Sequence, residues 1–238
     1  MQTLCVYPGE GHDTVSIPGQ NCRDQSAVAS PWHTCCVVAM LAMFAGLSVY
    51  VRMGSSHPRV GHLLLYSIAI AFEWAVFAVS VWNSNAAFGR YVAQVFENPR
   101  SLWLDILVAV LLCAIVFLLE PIMVRVLGRT GWVSLEGMRP NNGLEIATWI
   151  VAATSAGISE ETVFRGYLQQ QFTTWTRHAS VGILGQAAIF ALVHEYEGWK
   201  NMALIFVLGG ILGVFARLRK GLRANMIAHA GMDILSAF

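Results

Sequence analysis

Long apolar runs, several of them close to the length of a bilayer core, constrain this chain more than any other feature of it. A helix crossing the hydrocarbon needs about 20 mostly apolar residues. Such runs extend from about Cys35 to Val51, from His62 to Val81, and from Leu102 to Leu119, where Pro121 is expected to end or kink the third helix. A polar link rich in Gly, Arg, Pro and Asn follows from Gly128 to Gly143. Beyond it come a helical pattern over Leu144–Phe172, then apolar runs at Val181–His194, Met202–Phe215 and Met226–Phe238. Lipid offers no partners to backbone N–H and C=O groups, so runs of this kind are expected as helices. Gly209, Gly210 and Gly213 lie in one of them, where small residues let helices approach closely. The expected fold is all-α: a polytopic membrane bundle of about seven helices with an intramembrane polar cavity.

Composition supports lipid as the solvent. Of 238 residues 56% are hydrophobic and 12% charged, against about 45–50% and about 25% in soluble domains. The net charge of +1 gives no electrostatic case for nucleic acid. Five cysteines, an odd number with no C-x-x-C pair, do not read as a zinc knuckle or a disulfide framework. Residues 1–32 are polar and lack the basic start and apolar stretch of a signal peptide, so they read as a loosely packed tail. The expected organisation is that tail, N-terminal membrane helices over 33–143, and a core of helices over 144–238. The localisation expected is an integral, multi-pass protein of the cell membrane, with lipid as one partner.

Against this background the charged residues of the second half stand out. A charge inside a membrane helix costs about 2.5–3.5 kcal/mol on insertion scales, yet Glu160, Glu161 and Arg165 fall within six residues. Helix geometry sorts them. Glu161 and Arg165 are four apart and can pair along their own helix. Glu160 points elsewhere, towards the face of Phe164 and Tyr167. Glu160 is therefore the better candidate for general-base work, because it lacks an in-helix counter-ion. An ion pair at a helix end and an interfacial carboxylate are the plainer readings of the two glutamates. Phe190 and His194 end the next helix, where a lone histidine is more often structural. Asn225, His229 and Asp233 are spaced by four and line one face of the last helix; interhelical hydrogen bonding is the alternative there. Three late helices each carry polar groups of catalytic type, and convergence on one cavity accounts for all of them at once.

These residues resemble a known family. Glu160-Glu161-x-x-x-Arg165, Phe190-x-x-x-His194 and His229-x-x-x-Asp233 are similar to the three motifs of the CPBP family, the CAAX proteases and bacteriocin-processing proteins of the Rce1/Abi type. Phe164-Arg165-Gly166-Tyr167-Leu168 resembles the usual continuation of the first motif, and the likeness covers about residues 144–238. It implies an intramembrane endopeptidase whose glutamate and histidine activate water, either of glutamic type or as a metalloprotease. The site residues implied are Glu160, Glu161, Arg165, His194, His229 and Asp233. Substrates would be peptides or proteins, lipid-modified ones among them.

The mechanism expected has Glu160, held with His194, taking a proton from water. His229 with Asp233 would then support the oxyanion, while Glu161 and Arg165 hold the helix and tune the charge of the site. No cofactor is required on this reading. Zinc on Glu160, His194 and His229 is the metalloprotease alternative, although no H-E-x-x-H pair is present. Two readings from other classes stand beside it: a non-catalytic membrane immunity or scaffold protein, and an ion-coupled transporter. For a transporter, Glu73 and Asp105 in or near other spans would extend an ion path.

Overall fold

The computed structural model describes residues 27–53, 61–82, 84–97, 101–128 and 139–238. Most of the tail expected over 1–32 lies outside these residues. Helix α1 spans Pro31–Met53, α2 His62–Val81, α3 Ala86–Glu97 and α4 Leu102–Leu127. Then α5 (Gly143–Glu160), a π-helical segment (Glu161–Leu168) and α6 (Gln169–Thr176) follow one another without a break. The described chain ends with α7 (Ala179–Val193), a short 3-10 turn at Glu195–Glu197, α8 (Trp199–Arg219) and α9 (Arg223–Ser236).

Counting the continuous 143–176 rod once, eight helices are described, against an expected seven. The additional one is α3, a 12-residue helix too short to span a membrane. Among the described residues four helices are long and apolar enough to cross: Pro31–Ser48 of α1, and α2, α4 and α8. The result is a helical membrane bundle. Its outside is apolar, as lipid contact requires: α4 alone exposes Trp103, Leu107, Val110, Leu118, Ile122 and Val126.

Local chemistry explains where the helices begin. Ser30 accepts a hydrogen bond from the His33 amide at 3.3 Å, and Pro31 occupies the first helical position, which needs no N–H. The start therefore lies four residues before the expected Cys35. Asn142 caps α5, accepting from the amides of Leu144 at 3.1 Å and Glu145 at 3.0 Å. Glu145 then sits in the first turn, where the helix dipole favours an anion, and meets His62 Nδ1 at 3.0 Å. This ties the start of α5 to the start of α2. Pro121 does not end α4, which continues to Leu127; the ring removes one internal hydrogen bond and the surrounding apolar turns carry the helix through.

The bundle core forms where α5 packs on α9 and α2, α7 on α8 and α6, and α4 on α9. Gly157 makes the α5–α9 crossing possible, since a Cβ there would lie 2.8 Å from the Met226 carbonyl oxygen and 3.0 Å from the Ala230 Cβ. At the α7–α8 crossing Gln186 Nε2 donates to the Gly209 carbonyl at 2.8 Å, and from the start of α6 Gln169 Nε2 donates to that of Gly213 at 2.9 Å. Asp105, which the transporter reading placed on an ion path, is buried on α4 and ion-paired to Arg219 and Arg223. It fastens α4 to the ends of α8 and α9.

Gly157→Ala is expected to push α9 off α5 and cost about 1–3 kcal/mol of stability. Gly210→Ala, where a Cβ meets nothing within 4 Å, is expected to cost little. Thermal unfolding of the two variants in the same detergent checks the contrast.

Candidate active site

The site grows from one buried carboxylate. Glu161 is fully buried, and an ion there is tolerable only with close partners. Arg165 Nη1 donates to its Oε1 at 2.8 Å, the i,i+4 pair expected from the sequence. The other two donors come from α9: His229 Nδ1 meets the same Oε1 at 2.9 Å, and Asn225 Nδ2 donates to Oε2 at 3.2 Å. The role of Glu161 is therefore wider than holding its own helix. It joins the first motif to the third and sets the orientation of the His229 ring.

Arg165 is equally buried. Its Nε and Nη2 find no hydrogen-bond partner among the described residues. Its guanidinium carbon instead lies 4.3 Å from the Phe190 ring centroid and 6.0 Å from that of Phe164. An aromatic face offers a desolvated guanidinium a worthwhile electrostatic contact. Phe190 also packs edge-on against His194 at 4.7 Å and His229 at 5.9 Å. One ring thus spaces the arginine and both histidines.

The π-helical segment puts this in place. The Gln169 amide donates to the Phe164 carbonyl five residues back. Such turns are rare and occur often at functional sites. Gly166 lies within it, where a Cβ would sit 3.2 Å from Leu222 Cδ1 just before α9. The wider turn separates residues that ordinary helix arithmetic puts on one face. Glu160 and Phe164 do line one cavity. Tyr167, expected on that face, is turned to α1, with its hydroxyl 2.6 Å from His33 Nδ1 and 3.0 Å from Thr34 Oγ1.

With Nδ1 of His229 donating to Glu161, its Nε2 is the atom left to face other groups. Those are Glu160 Oε2 and Asp233 Oδ2, each 3.6 Å away. His194 ends α7, and its Nδ1 donates to the Phe190 carbonyl at 2.8 Å. In the neutral ring Nε2 of His194 is then an acceptor. Glu160 and His194 line one cavity of about 90 Å³ together with Glu73, Ser159 and Tyr196. The close ionic contact of Glu160 is with His229, while its relation to His194 is a shared cavity. A water there can donate one proton to Glu160 and one to His194 Nε2, leaving its lone pair for a carbonyl carbon.

All six residues singled out in the sequence thus fall in one region, Asp233 at its more open edge with a side chain 37% exposed. Asn225 was visible as part of the polar stripe, though not as a partner of Glu161. Glu73 carried a signal, a carboxylate in mid-span; Tyr196, in a short turn after His194, carried none. Among the described residues no group of three or more His, Cys, Asp or Glu side chains is arranged to hold a metal ion.

Comparison with known proteins agrees with the motifs. Residues 142–235 match the Rce1-like family. Its description is type II CAAX prenyl endopeptidase Rce1-like. The Rce1-like segment covers less than half of the chain and takes in α5, the π-helical turn, α6, α7, α8 and nearly all of α9, the helices that carry the site. No curated protein and no solved structure matches the chain.

The two adjacent glutamates are expected to respond differently to the same change. Glu161→Gln strands a buried guanidinium and releases His229, and is expected to cost about 3–5 kcal/mol of stability. Glu160→Gln is expected to leave the melting temperature near that of the parent. Parallel melts of the detergent-solubilised variants measure the difference.

Proposed function

We propose that this chain is a multi-pass endopeptidase of the cell membrane that hydrolyses peptide bonds inside the bilayer with a water activated by Glu160 and His194. The observation that carries the reading is the division of labour around the His229 imidazole. Glu161 holds one ring nitrogen, and the other meets Glu160 beside a cavity that also contains His194. The Rce1-like match over the same helices supports it.

In the proposed reaction Glu160 takes one proton from the water and His194 Nε2 holds the other hydrogen. The water oxygen bonds to the scissile carbonyl carbon, and the carbonyl π electrons move onto oxygen. His229, protonated at Nε2, donates to that oxyanion. Glu160 then returns its proton to the amide nitrogen as the carbon–nitrogen bond breaks, releasing the amine and a carboxylic acid. Asp233 orients His229 and balances its charge, because an ionised carboxylate cannot itself donate to an oxyanion. Glu161, Arg165 and Asn225 act as positioning residues, since they reach His229 and the π-helical turn rather than the reacting atoms. Peptides and proteins are the substrate class, prenylated C-terminal segments among them.

The proposal needs no metal. Glu160→Gln and His194→Ala are expected to lower cleavage about 100-fold or more. This is read by mass spectrometry of a peptide library incubated with purified protein in detergent. Variants that cut as well as the parent, or a parent that cuts nothing, would sink the endopeptidase reading. Activity is expected to survive exhaustive chelation; loss restored by added zinc would replace the metal-free mechanism.

A further inference from the structure

Glu73 is the only Asp, Glu, Lys or Arg in α2, and it lies about midway along a helix long and apolar enough to span the membrane. A carboxylate at that depth is costly without a use or a partner. One of its oxygens is buried with no hydrogen-bond partner among the described residues. The side chain faces Ser155 of α5, with Glu160, Asp233 and His229 close enough to act on its charge. It lines the same cavity as Glu160 and His194.

The walls of that cavity are apolar, from Leu41 and Phe44 on α1 and Phe72 and Val76 on α2. Neither Lys nor Arg lines it among the described residues. Its Ser159 hydroxyl already donates to the Ser155 carbonyl at 2.8 Å, and the Nδ1–H of His194 is committed to Phe190. Glu73 and Glu160, which both line the space, each have a buried carboxyl oxygen without a hydrogen-bond partner among the described residues, and Nε2 of the neutral His194 ring accepts. A ligand that enters must bring donors.

The geometry points to Glu73 as a specificity-determining residue that accepts an N–H donor of the peptide substrate next to the scissile bond. This rests on the endopeptidase reading for the identity of the ligand, though not for the donor-accepting character of the cavity. Two parts of a peptide offer that chemistry. One is the backbone amide of an extended segment laid along α2. The other is a lysine or arginine side chain, whose aliphatic stem suits the apolar walls. Glu160 stays with the water while Glu73 holds the chain.

The test uses the full chain in detergent, as parent, Glu160→Gln, Glu73→Gln and Glu73→Met. Melting temperatures are read with n-butylammonium, N-methylacetamide and 2-butanone, which accepts but cannot donate, as probes. One or both of the N–H donors are expected to raise the melting temperature of the parent and of Glu160→Gln more than 2-butanone does. That difference is expected to vanish in Glu73→Met. Survival of the N-methylacetamide response in Glu73→Gln marks the backbone as the source; loss of the n-butylammonium response in both Glu73 variants marks a cationic side chain. With a peptide that the parent cleaves, Glu73→Met is expected to raise KM at least tenfold with kcat largely kept, as loss of uniform binding requires, and Glu73→Gln to do the same only where the donor is a cationic side chain. Equal probe responses in parent and Glu73→Met overturn the proposal, as does a fall in kcat at unchanged KM. A parent that cleaves nothing defeats the endopeptidase reading and leaves the probe responses to decide on Glu73.

Discussion

Glu161 is the point on which the C-terminal half of the structure depends. Moving a carboxylate out of water costs several kcal/mol even after relaxation. The chain offsets that cost with one donor from the same helical rod and two from α9. The pairing is therefore also a statement about tertiary structure. If α9 is displaced, Glu161 loses two of its three side-chain donors, and Arg165 is left beside a carboxylate with too few bonds. The penalty for a misplaced α9 is electrostatic as well as apolar, and this gives the bundle a sharply defined arrangement at the place where the chemistry is proposed.

The remaining contacts serve that arrangement. Gly157 lets α9 come within reach of the π-helical turn. Asp105 secures both ends of the α8–α9 connection from α4. On the opposite side, Tyr167 bonds to His33, whose Nε2 donates to the Val79 carbonyl at 2.9 Å. One turn of irregular helix is thereby gripped from α1, α2 and α9. A π-helical turn gives up the better geometry of the ordinary helix, so neighbours that require it must hold it in place.

Much of the site was legible because lipid makes polar residues conspicuous. In an apolar helix an i,i+4 Glu–Arg pair and an Asn–His–Asp stripe have few innocent explanations, and the pairing of Glu161 with Arg165 followed directly from spacing. Helix existence was legible for the same reason, except at α3, whose 12 residues mix apolar and polar side chains over too short a length to register as a span. The Ser30-Pro31 start of α1 was open to reading as a cap followed by proline, and was hidden by the polar composition before it. The π-helical segment was not legible. Its cause is long-range, in the grip of α1, α2 and α9, and no local residue announces it. The true direction of Tyr167 and the reach of Glu161 to His229 were hidden with it.

Two glutamates adjacent in sequence end up in different solvents. Glu161 faces inward, where its charge is balanced by partners and its geometry is fixed. Glu160 faces a small cavity, where its ionic contact is with a histidine whose orientation Glu161 dictates and whose same ring nitrogen Asp233 also meets. In the proposed reaction a base that gains and loses a proton cannot be locked in the manner of Glu161, and a positioning group cannot be as loosely held as Glu160. Placing the two side by side on one helix lets a single buried network fix the imidazole without tying up the carboxylate proposed to work beside it. The same logic explains why the cavity is small and its walls apolar: each acceptor facing it keeps its strength because little water competes for it. The apolar surroundings that make these charges expensive would, in the proposed reaction, also strengthen them.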